Sequence, residues 1–453
     1  MKIYSTLTGQ KKDFVPEGNE VKMYVCGVTP YDSCHIGHAM SYIIFDVVRR
    51  YLVFRGYNVR YVQNFTDIDD KIIARANERG IPAAQMASEF IDEYFADMDS
   101  LNIMRADVYP RATEEIPDII RVIQSLIEKG HAYELKGDVY FRVQSANNYG
   151  KLSHRNLDDM RAGARIEVDE DKEYPLDFAL WKASKPGEPS WESPWGEGRP
   201  GWHIECSVMS QKYLGDTLDI HGGGQDLVFP HHENEIAQSE AFTGVIPFVK
   251  HWMHNGLLQL DQEKMSKSLG NLITIREILE KSSAAALRLF VISSNYRSPL
   301  SFSDEGLAAM QRGADRLIRA AQLEDTQTQR EPFNAESYRQ RFIEAMDDDF
   351  NTAQAVATVF DLAREINKAS EEGSPIGKAQ ETLNELTSVL GLQLEEIQRE
   401  FSAGPFVDLL IDIRSQLRTA KQFQLSDTIR DRLSELGITL EDSPQGTKWR
   451  QER

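Results

Sequence analysis

An α/β fold built on a parallel sheet, followed by a helical region and a small mixed module, is what this sequence predicts. Three observations carry that expectation. Strand-like text at residues 21–25 gives way to a loop and a long amphipathic helix before strand-like text returns at Val59. Beyond Ser282 the periodicity is helical almost to Leu436, and the last residues alternate about a Pro-Gln-Gly turn.

Taken in order, Val21, Met23 and Val25 alternate toward one face, as a strand does. A loop through Gly27, Pro30 and Gly37 follows. Ile43, Ile44, Val47, Val48, Tyr51 and Leu52 then recur at helical spacing up to a stop at Gly56. Residues 59–62 read as a second strand, and Thr66 or Asp67 is placed to cap another helix. A crossover of this length joins parallel strands, as in Rossmann-like nucleotide-binding sheets.

The pattern changes over residues 109–201. A helix at 115–129 leads to short strand-like pieces such as 139–143 and then to a Pro/Gly/Trp-rich stretch at 185–202. This reads as an insertion. Sheet-like text resumes at 217–221, running into Gly222, Gly223 and Gly224, and again at 256–260 before a loop at 264–268. A polar break at 324–334 and a Gly/Ser/Pro break at 372–377 divide the helices, and residues 347–349 read as a solvated acidic helix start. Residues 438–440 and 447–449 suit a closing hairpin, in which Trp449 can pack against Leu433 and Leu436.

A chain of 453 residues exceeds what one core organises, so two to four domains are expected. Hydrophobic residues at 41% and charged residues at 27% are those of a soluble globular protein. No apolar run approaches the roughly 20 residues of a membrane helix, and residues 1–14 lack the apolar centre of a secretory signal. The three cysteines, Cys26, Cys34 and Cys206, are too few for a disulfide framework and suit a reducing, cytoplasmic setting. A net charge of −20 argues at first against a nucleic-acid partner. From Phe401 onward, however, bases and acids balance, so the acid excess lies entirely in the body.

Three constellations carry chemistry. His35-Ile36-Gly37-His38 opens the first long helix, where unpaired N–H groups and a partial positive charge suit phosphate. Two imidazoles there can donate to a phosphoryl oxygen in the transition state, and Gly37 clears the backbone for a nucleotide. The bland alternative is a turn capped by histidines. Lys264-Met265-Ser266-Lys267-Ser268 follows a strand and can clamp a triphosphate; its bland alternative is a solvated basic loop. The third is a metal site. His231 and Glu235 stand i, i+4 on one helical face, and with Cys26 and Cys206 they complete a four-coordinate zinc donor set. His232 and Glu233 compete on spacing but rank lower, since neighbours on a helix face different ways. Cys34 is expected to be packed rather than ligating. Without a metal, the cysteines would be small core residues.

His-Ile-Gly-His and Lys-Met-Ser-Lys-Ser, in that order, resemble the two signatures of class I aminoacyl-tRNA synthetases. Residues 24–29 (Tyr-Val-Cys-Gly-Val-Thr), 64–71, 201–206 (Gly-Trp-His-Ile-Glu-Cys), 219–226 and 230–237 resemble the cysteinyl branch, as does the 445–449 tail. The likeness runs nearly the whole length; Pro30 departs from it, standing where a valine is expected.

The resemblance implies a Rossmann-like catalytic domain over 1–110 and 202–280, with an inserted connective domain at 111–201. Linker and stem-contact helices follow at 281–335, then a helical bundle at 336–400 and an anticodon-binding module at 401–453. It implies a cysteine–tRNA ligase activity using ATP with Mg2+, and one Zn2+ per subunit on Cys26, Cys206, His231 and Glu235. The zinc would hold the thiolate of L-cysteine, which loses its proton far more readily than a serine hydroxyl. Catalysis would fall to His35, His38, Lys264 and Lys267, with Thr66 and Trp202 lining the amino-acid pocket. The nucleotide would lie against Gly37, His221, Gly222, Gly223, Gly224, Asp226 and Lys267. Arg430, Arg432, Lys448 and Arg450 would reach the backbone of tRNA(Cys), with Trp449 either stacked on a base or packed in the hairpin core, and the expected state is a monomer with no membrane partner. Two rivals remain: a tRNA-independent cysteine ligase acting on an amino sugar, and a non-catalytic nucleotide- or RNA-binding paralogue.

Overall fold

The structure, a computed structural model, describes residues 1–146, 148–157, 172–260, 263–264, 272–325, 328, 330–394, 404–443 and 446–451. Strands β1 (Lys2–Ser5) and β2 (Gln10–Asp13) form an antiparallel ribbon, after which the chain enters the central sheet with β3 (Glu20–Val28). Helix α1 (Ile36–Phe54) crosses over to β4 (Asn58–Phe65), which pairs parallel with β3. Helices α2 (Asp70–Arg79) and α3 (Ala83–Ser100) follow, and α4 (Ile116–Glu128) leads into β5 (Ala132–Leu135), β6 (Asp138–Phe141), β7 (Phe178–Ala183) and β8 (Gly198–Pro200). These four form an antiparallel sheet in chain order, over an apolar cluster that includes Ile119, Ile123, Phe141 and Trp181.

Helix α5 (Trp202–Leu214) returns the chain to the central sheet, which gains β9 (Leu218–Gly224), helix α6 (Glu233–Thr243) and β10 (Val249–Asn255). The order is β10-β9-β3-β4, all parallel. After β3 the chain moves to one side, and after β9 to the other. The switch point therefore lies between β3 and β9, where parallel sheets open a ligand crevice beyond their carboxyl ends. Tyr24 and Val25 of β3 are as buried as Val21 and Met23, so the expected one-faced alternation gives way to the two-sided burial of a central strand. Sequence periodicity missed β10 because His251, His254 and Asn255 interrupt it, yet all three are buried.

A second small sheet, β12-β11-β13, joins β11 (Leu258–Leu260), β12 (Glu263–Lys264) and β13 (Leu300–Phe302). The helical region comprises α7 (Ile275–Lys281), α8 (Ala284–Ile292), α9 (Asp304–Gln322), α10 (Glu336–Asp347), α11 (Thr352–Glu371) and α12 (Gly377–Val389). Its core is continuous with that of the sheet through α1, which buries Ile43, Phe45, Val47, Val48, Tyr51 and Leu52. A helix apolar on most sides is one enclosed on most sides.

Two expectations are corrected. The helix after β4 is capped by Asp69, which accepts from the Lys71 amide, because Thr66 and Asp67 are engaged elsewhere. The Thr66 amide donates to the Val28 carbonyl, and Asp67 accepts from the amide and hydroxyl of Thr113. Residues 347–349 end a helix rather than start one. Asp349 is buried there, accepting from the Tyr4 amide and the Tyr296 hydroxyl and pairing with Arg297 at 3.1 Å.

A second compact unit spans Glu396–Arg453. Helices α13 (Gly404–Thr419) and α14 (Phe423–Glu435) precede the hairpin of β14 (Ile438–Ser443) and β15 (Gly446–Gln451). Val407, Leu433, Ile438 and Leu440 form its core, with Trp449 packed against them and donating Nε1–H to Asp408 at 3.0 Å. The packed alternative for Trp449 therefore describes its position, although Leu436 is exposed and takes no part. Arg430, Arg432 and Arg450 each lie beside an acid of this unit, Asp442, Glu435 and Glu441.

Candidate metal centre and active site

Cys26 is the seventh residue of β3, at the carboxyl end beside the switch point. The strand bulges just beyond it, and Gly27 approaches β4 so closely that an added Cβ would lie 1.5 Å from the Asn64 carbonyl oxygen. Only glycine fits there. Asn64 in turn accepts from the Gly27 amide at 2.9 Å and receives Cys206 at 3.7 Å, so one side chain orients both thiol-bearing segments. Cys206 comes from α5, and His231 and His232 from a helical turn at Val228–His232 that runs into α6, where Glu235 occupies the first turn.

These elements converge. Cys26 Sγ and Cys206 Sγ are 3.7 Å apart, and Cys26 Sγ is 3.6 Å from Glu235 Oε1. His231 Nε2 lies 2.9 Å from Glu235 Oε1, yet this buried nitrogen makes no hydrogen bond. His232 is also present, its Nε2 3.2 Å from Cys26 Sγ. Cys26, His231, His232 and Glu235 can each offer a ligand atom within 4.8 Å of the others. The spacing argument that set His232 aside does not separate it from His231, because residues three and four before Glu235 both neighbour it on a helix. Glu233 points elsewhere and accepts from the Leu152 and Ser153 amides.

The electrostatics fit a cation. Burial opposes charge on Glu235, yet His221 and His231 hold its carboxyl well below the usual range. Burial and the neighbouring Cys206 push the Cys26 thiol well up. Against its own burial, Cys206 is brought down to about 6 by the hydrogen bond from Cys26 and by His231. Against its burial too, His231 is raised to about 10, chiefly by Glu235 and then Cys206. These shifts favour protons on Cys26 and His231, donors at which a divalent ion replaces a proton on binding. Two sulfurs each ~2.3 Å from a tetrahedral zinc stand about 3.8 Å apart, close to the spacing of this pair.

A ring of imidazoles supports the cage, and sequence reasoning missed most of it. His203 Nδ1 is 2.9 Å from His231 Nδ1; His232 Nδ1 is 2.8 Å from His254 Nε2, whose ring continues to the Thr6 hydroxyl at 2.7 Å. The signal was there in β10, whose two histidines flank Trp252 in otherwise strand-like text. His221 does not suit the expected adenosine contact. Its ring is fully buried and donates Nε2–H to Glu235 Oε2 at 2.8 Å, steadying the carboxylate instead. The adjacent glycines likewise make room for protein: a Cβ on Gly222 would strike Phe45 of α1, and one on Gly223 would strike His232.

Across the switch point, His35 caps α1. Its Nδ1 accepts from the Gly37 amide at 3.1 Å, while His38 Nδ1 reaches back to the His35 amide at 3.3 Å. With both Nδ1 atoms accepting, the neutral rings carry their protons at Nε2. The rings stack at 3.8 Å, and packing around them lowers both pKa values, that of His38 to about 3. At neutral pH both are therefore uncharged donors. The Ile36 amide donates to Ile273 and the Ile275 amide to Cys34, which ties the signature turn to the segment after the lysine loop. Lys264 lies on β12, paired with Gln259, whereas Lys267 lies outside the described residues.

Thr66 is buried, 3.4 Å from Asn64 Nδ2, and Trp202 stacks on His231 with ring centroids 4.2 Å apart. Asp226 is exposed and borders a cleft of about 540 Å3 with Thr6, Ser153, His154, Phe229 and His254. Cys34 is buried without approaching the cage donors, as expected.

A parallel sheet with a cysteine, histidine and glutamate cage on one side of its switch point and a histidine-capped helix on the other belongs to the class I synthetase architecture. Methionyl-tRNA synthetase of Mycobacterium tuberculosis, solved with methionyl-adenylate, shares this fold with a TM-score of 0.62 at 16% identity, over 87% of this chain and 94% of that one. Residues 14–312 match the family of tRNA synthetases class I (C), catalytic domain, and residues 341–395 match the DALR domain. The cysteine–tRNA ligase of Dehalococcoides mccartyi is 60% identical over 99% of both chains. That of Clostridioides difficile is 50% identical over 99% of this chain and 100% of its own. The chain belongs to the cysteine–tRNA ligase family of class I synthetases.

Proposed function

We propose that the protein activates L-cysteine with Mg-ATP, releasing pyrophosphate, and passes the cysteinyl group to the 3′ end of tRNA(Cys). The observation that carries this reading is the Cys26–Cys206 pair, 3.7 Å apart and joined by His231 and Glu235, at the mouth of the switch point. Zinc bound by Cys26, Cys206, His231 and Glu235 would supply a sulfur-seeking Lewis acid that favours a thiolate side chain over a hydroxyl.

The chain's own groups do the remainder. Trp202 and Thr66 wall the amino-acid pocket, and the indole covers His231 from water. His221, His203 and His254 hold the cage side chains in one orientation, as outer hydrogen bonds do at metal sites. The Nε2–H groups of His35 and His38 donate to the α-phosphoryl oxygen as the cysteine carboxylate attacks, and their neutrality means no ammonium-like charge competes with Mg2+. Lys264 and Lys267 neutralise the departing pyrophosphate, and Gly37 and Asp226 border the nucleotide. Residues 401–453 read the anticodon, the protein acts in the cytoplasm as a monomer, and the inserted and helical segments keep the boundaries read from the sequence. Among the described residues no helix is long and apolar enough to cross a membrane.

The test joins metal analysis to ATP–pyrophosphate exchange. One zinc per chain and exchange with cysteine but not serine are expected. Equal exchange with serine, or no zinc in metal-replete protein, would sink the reading. Charging of tRNA(Cys) against an amino-sugar acceptor then separates ligase from paralogue.

A further inference from the structure

Strand β3 sorts its side chains by its period of two. Met23 and Val25 join the core shared with α1, whereas Tyr24 and Cys26 join the cluster that holds Cys206 and Met209 of α5. Tyr24 therefore stands on the cage side of the sheet. Its backbone is held between β4 and β9, opposite Val62 and His221, and its ring lies 5.1 Å from the His221 ring. The hydroxyl is wholly enclosed and, among the described residues, has no oxygen or nitrogen partner. Burial first, and then Cys206, Cys26 and Glu235, push its pKa well up.

A phenol enclosed without an acceptor is unfavourable, and phenylalanine would fill the same space without that cost. The acceptors of the cage are largely committed: Glu235 meets His221 on one oxygen and His231 on the other, and Cys26 faces His232. Cys206 differs. On ligating a metal it gives up its proton, and its sulfur becomes an anionic acceptor that the Asn64 oxygen beside it cannot serve. Two thiolates and a carboxylate already outweigh the charge of Zn2+, and the thiolate of cysteine would add another negative charge in a buried place. A neutral donor against one sulfur draws charge from it and eases that addition.

We propose that the Tyr24 hydroxyl donates a hydrogen bond to the metal-bound sulfur of Cys206 and so tunes the cage to accept the thiolate of cysteine. This rests on the zinc reading above. Tyr24 is a positioning residue that acts through Cys206 and does not touch the amino acid.

The experiment uses Tyr24→Phe, which removes one oxygen. Wild type and variant are loaded with Co2+, whose sulfur-to-metal charge-transfer band reports the charge on the thiolates. In the variant the band should move to longer wavelength, because a sulfur without its donor gives up electrons more easily. With zinc loaded, KM for cysteine in pyrophosphate exchange should rise about tenfold, as for one lost hydrogen bond to a charged group, with kcat within about threefold. An unmoved band would overturn the proposal whatever KM does, since altered packing alone can raise KM. A moved band with unchanged KM would deny the tuning. A variant that no longer holds the ion would overturn it too, because the hydroxyl would then build the cage rather than tune it. Wild-type protein that takes up neither ion would sink the zinc reading instead, and the proposal with it.

Discussion

Arg288 of α8 donates to Asp46 of α1 at 2.5 Å, with both side chains almost wholly buried. The same guanidinium donates to the carbonyls of Leu101 and Leu390, so one cation joins the signature helix to the ends of α3 and α12. Gly391 is required beside it, since a Cβ there would lie 2.0 Å from Arg288 Nη2. Breaking a buried pair from one side leaves the other charge stranded. Arg288→Met should lower stability by about 3–5 kcal/mol. Denaturant unfolding checks this, and a loss below about 1 kcal/mol would show that Arg50, also on Asp46 at 2.8 Å, suffices alone.

The two histidines of the cage should separate by degree. Cys206→Ser and His231→Ala remove donors and should abolish stoichiometric zinc. His232→Ala should weaken zinc about 10–100-fold, as for a group that supports a ligand. Competition with a chromogenic chelator measures both, and equal losses would make His232 a ligand.

Protonation of His38 should cost stability in acid. Its folded pKa of about 3 lies below the unfolded value near 6.5, so between those limits the unfolded chain binds more protons. Stability contributed by the neutral ring is complete above pH ~6.5 and falls as the pH drops toward 3. His38→Asn should flatten that slope in a pH series of unfolding curves. The same variant should slow exchange about 100-fold or more by removing a donor to the phosphoryl group.

In the C-terminal unit, Arg414 makes two 2.8 Å bonds to Asp442, and with Thr447 it holds that carboxyl well below the usual range. A depressed carboxyl contributes stability above its unfolded pKa of about 3.9 and loses it as the pH falls further. Asp442→Asn should therefore lower the stability of this unit most at pH 7 and by markedly less near pH 2, where part of the contribution has been lost. Hydrogen exchange of the β14–β15 amides reads the unit directly, and an equal effect at both pH values would deny the ionic role.

The sheet was legible where burial and periodicity agree. Val21 to Val25, the α1 pattern and Val59 to Val62 predict the parallel pair that the structure contains. The cage was legible in its residue types, and the i, i+4 spacing of His231 and Glu235 survives as a 2.9 Å approach. What escaped was polar burial. β10 buries two histidines and an asparagine, which no hydrophobic pattern marks, and His221 turns inward because Glu235 lies behind it rather than because of anything local. The 347–349 acids looked solvated, since the partners of Asp349 are Tyr4, Tyr296 and Arg297, all remote in sequence. Local text cannot announce such partners.

Trp202 is 39% exposed, and its indole lies 22° from parallel with the His231 ring. The Glu235 carboxylate and Cys206 favour a proton on that ring, and a protonated imidazole quenches indole emission; a ring that ligates an ion would give the proton up. Loading of the cage thus has its own optical signal, and a Trp202→Phe protein is the blank against which occupancy can be followed in real time without any added dye.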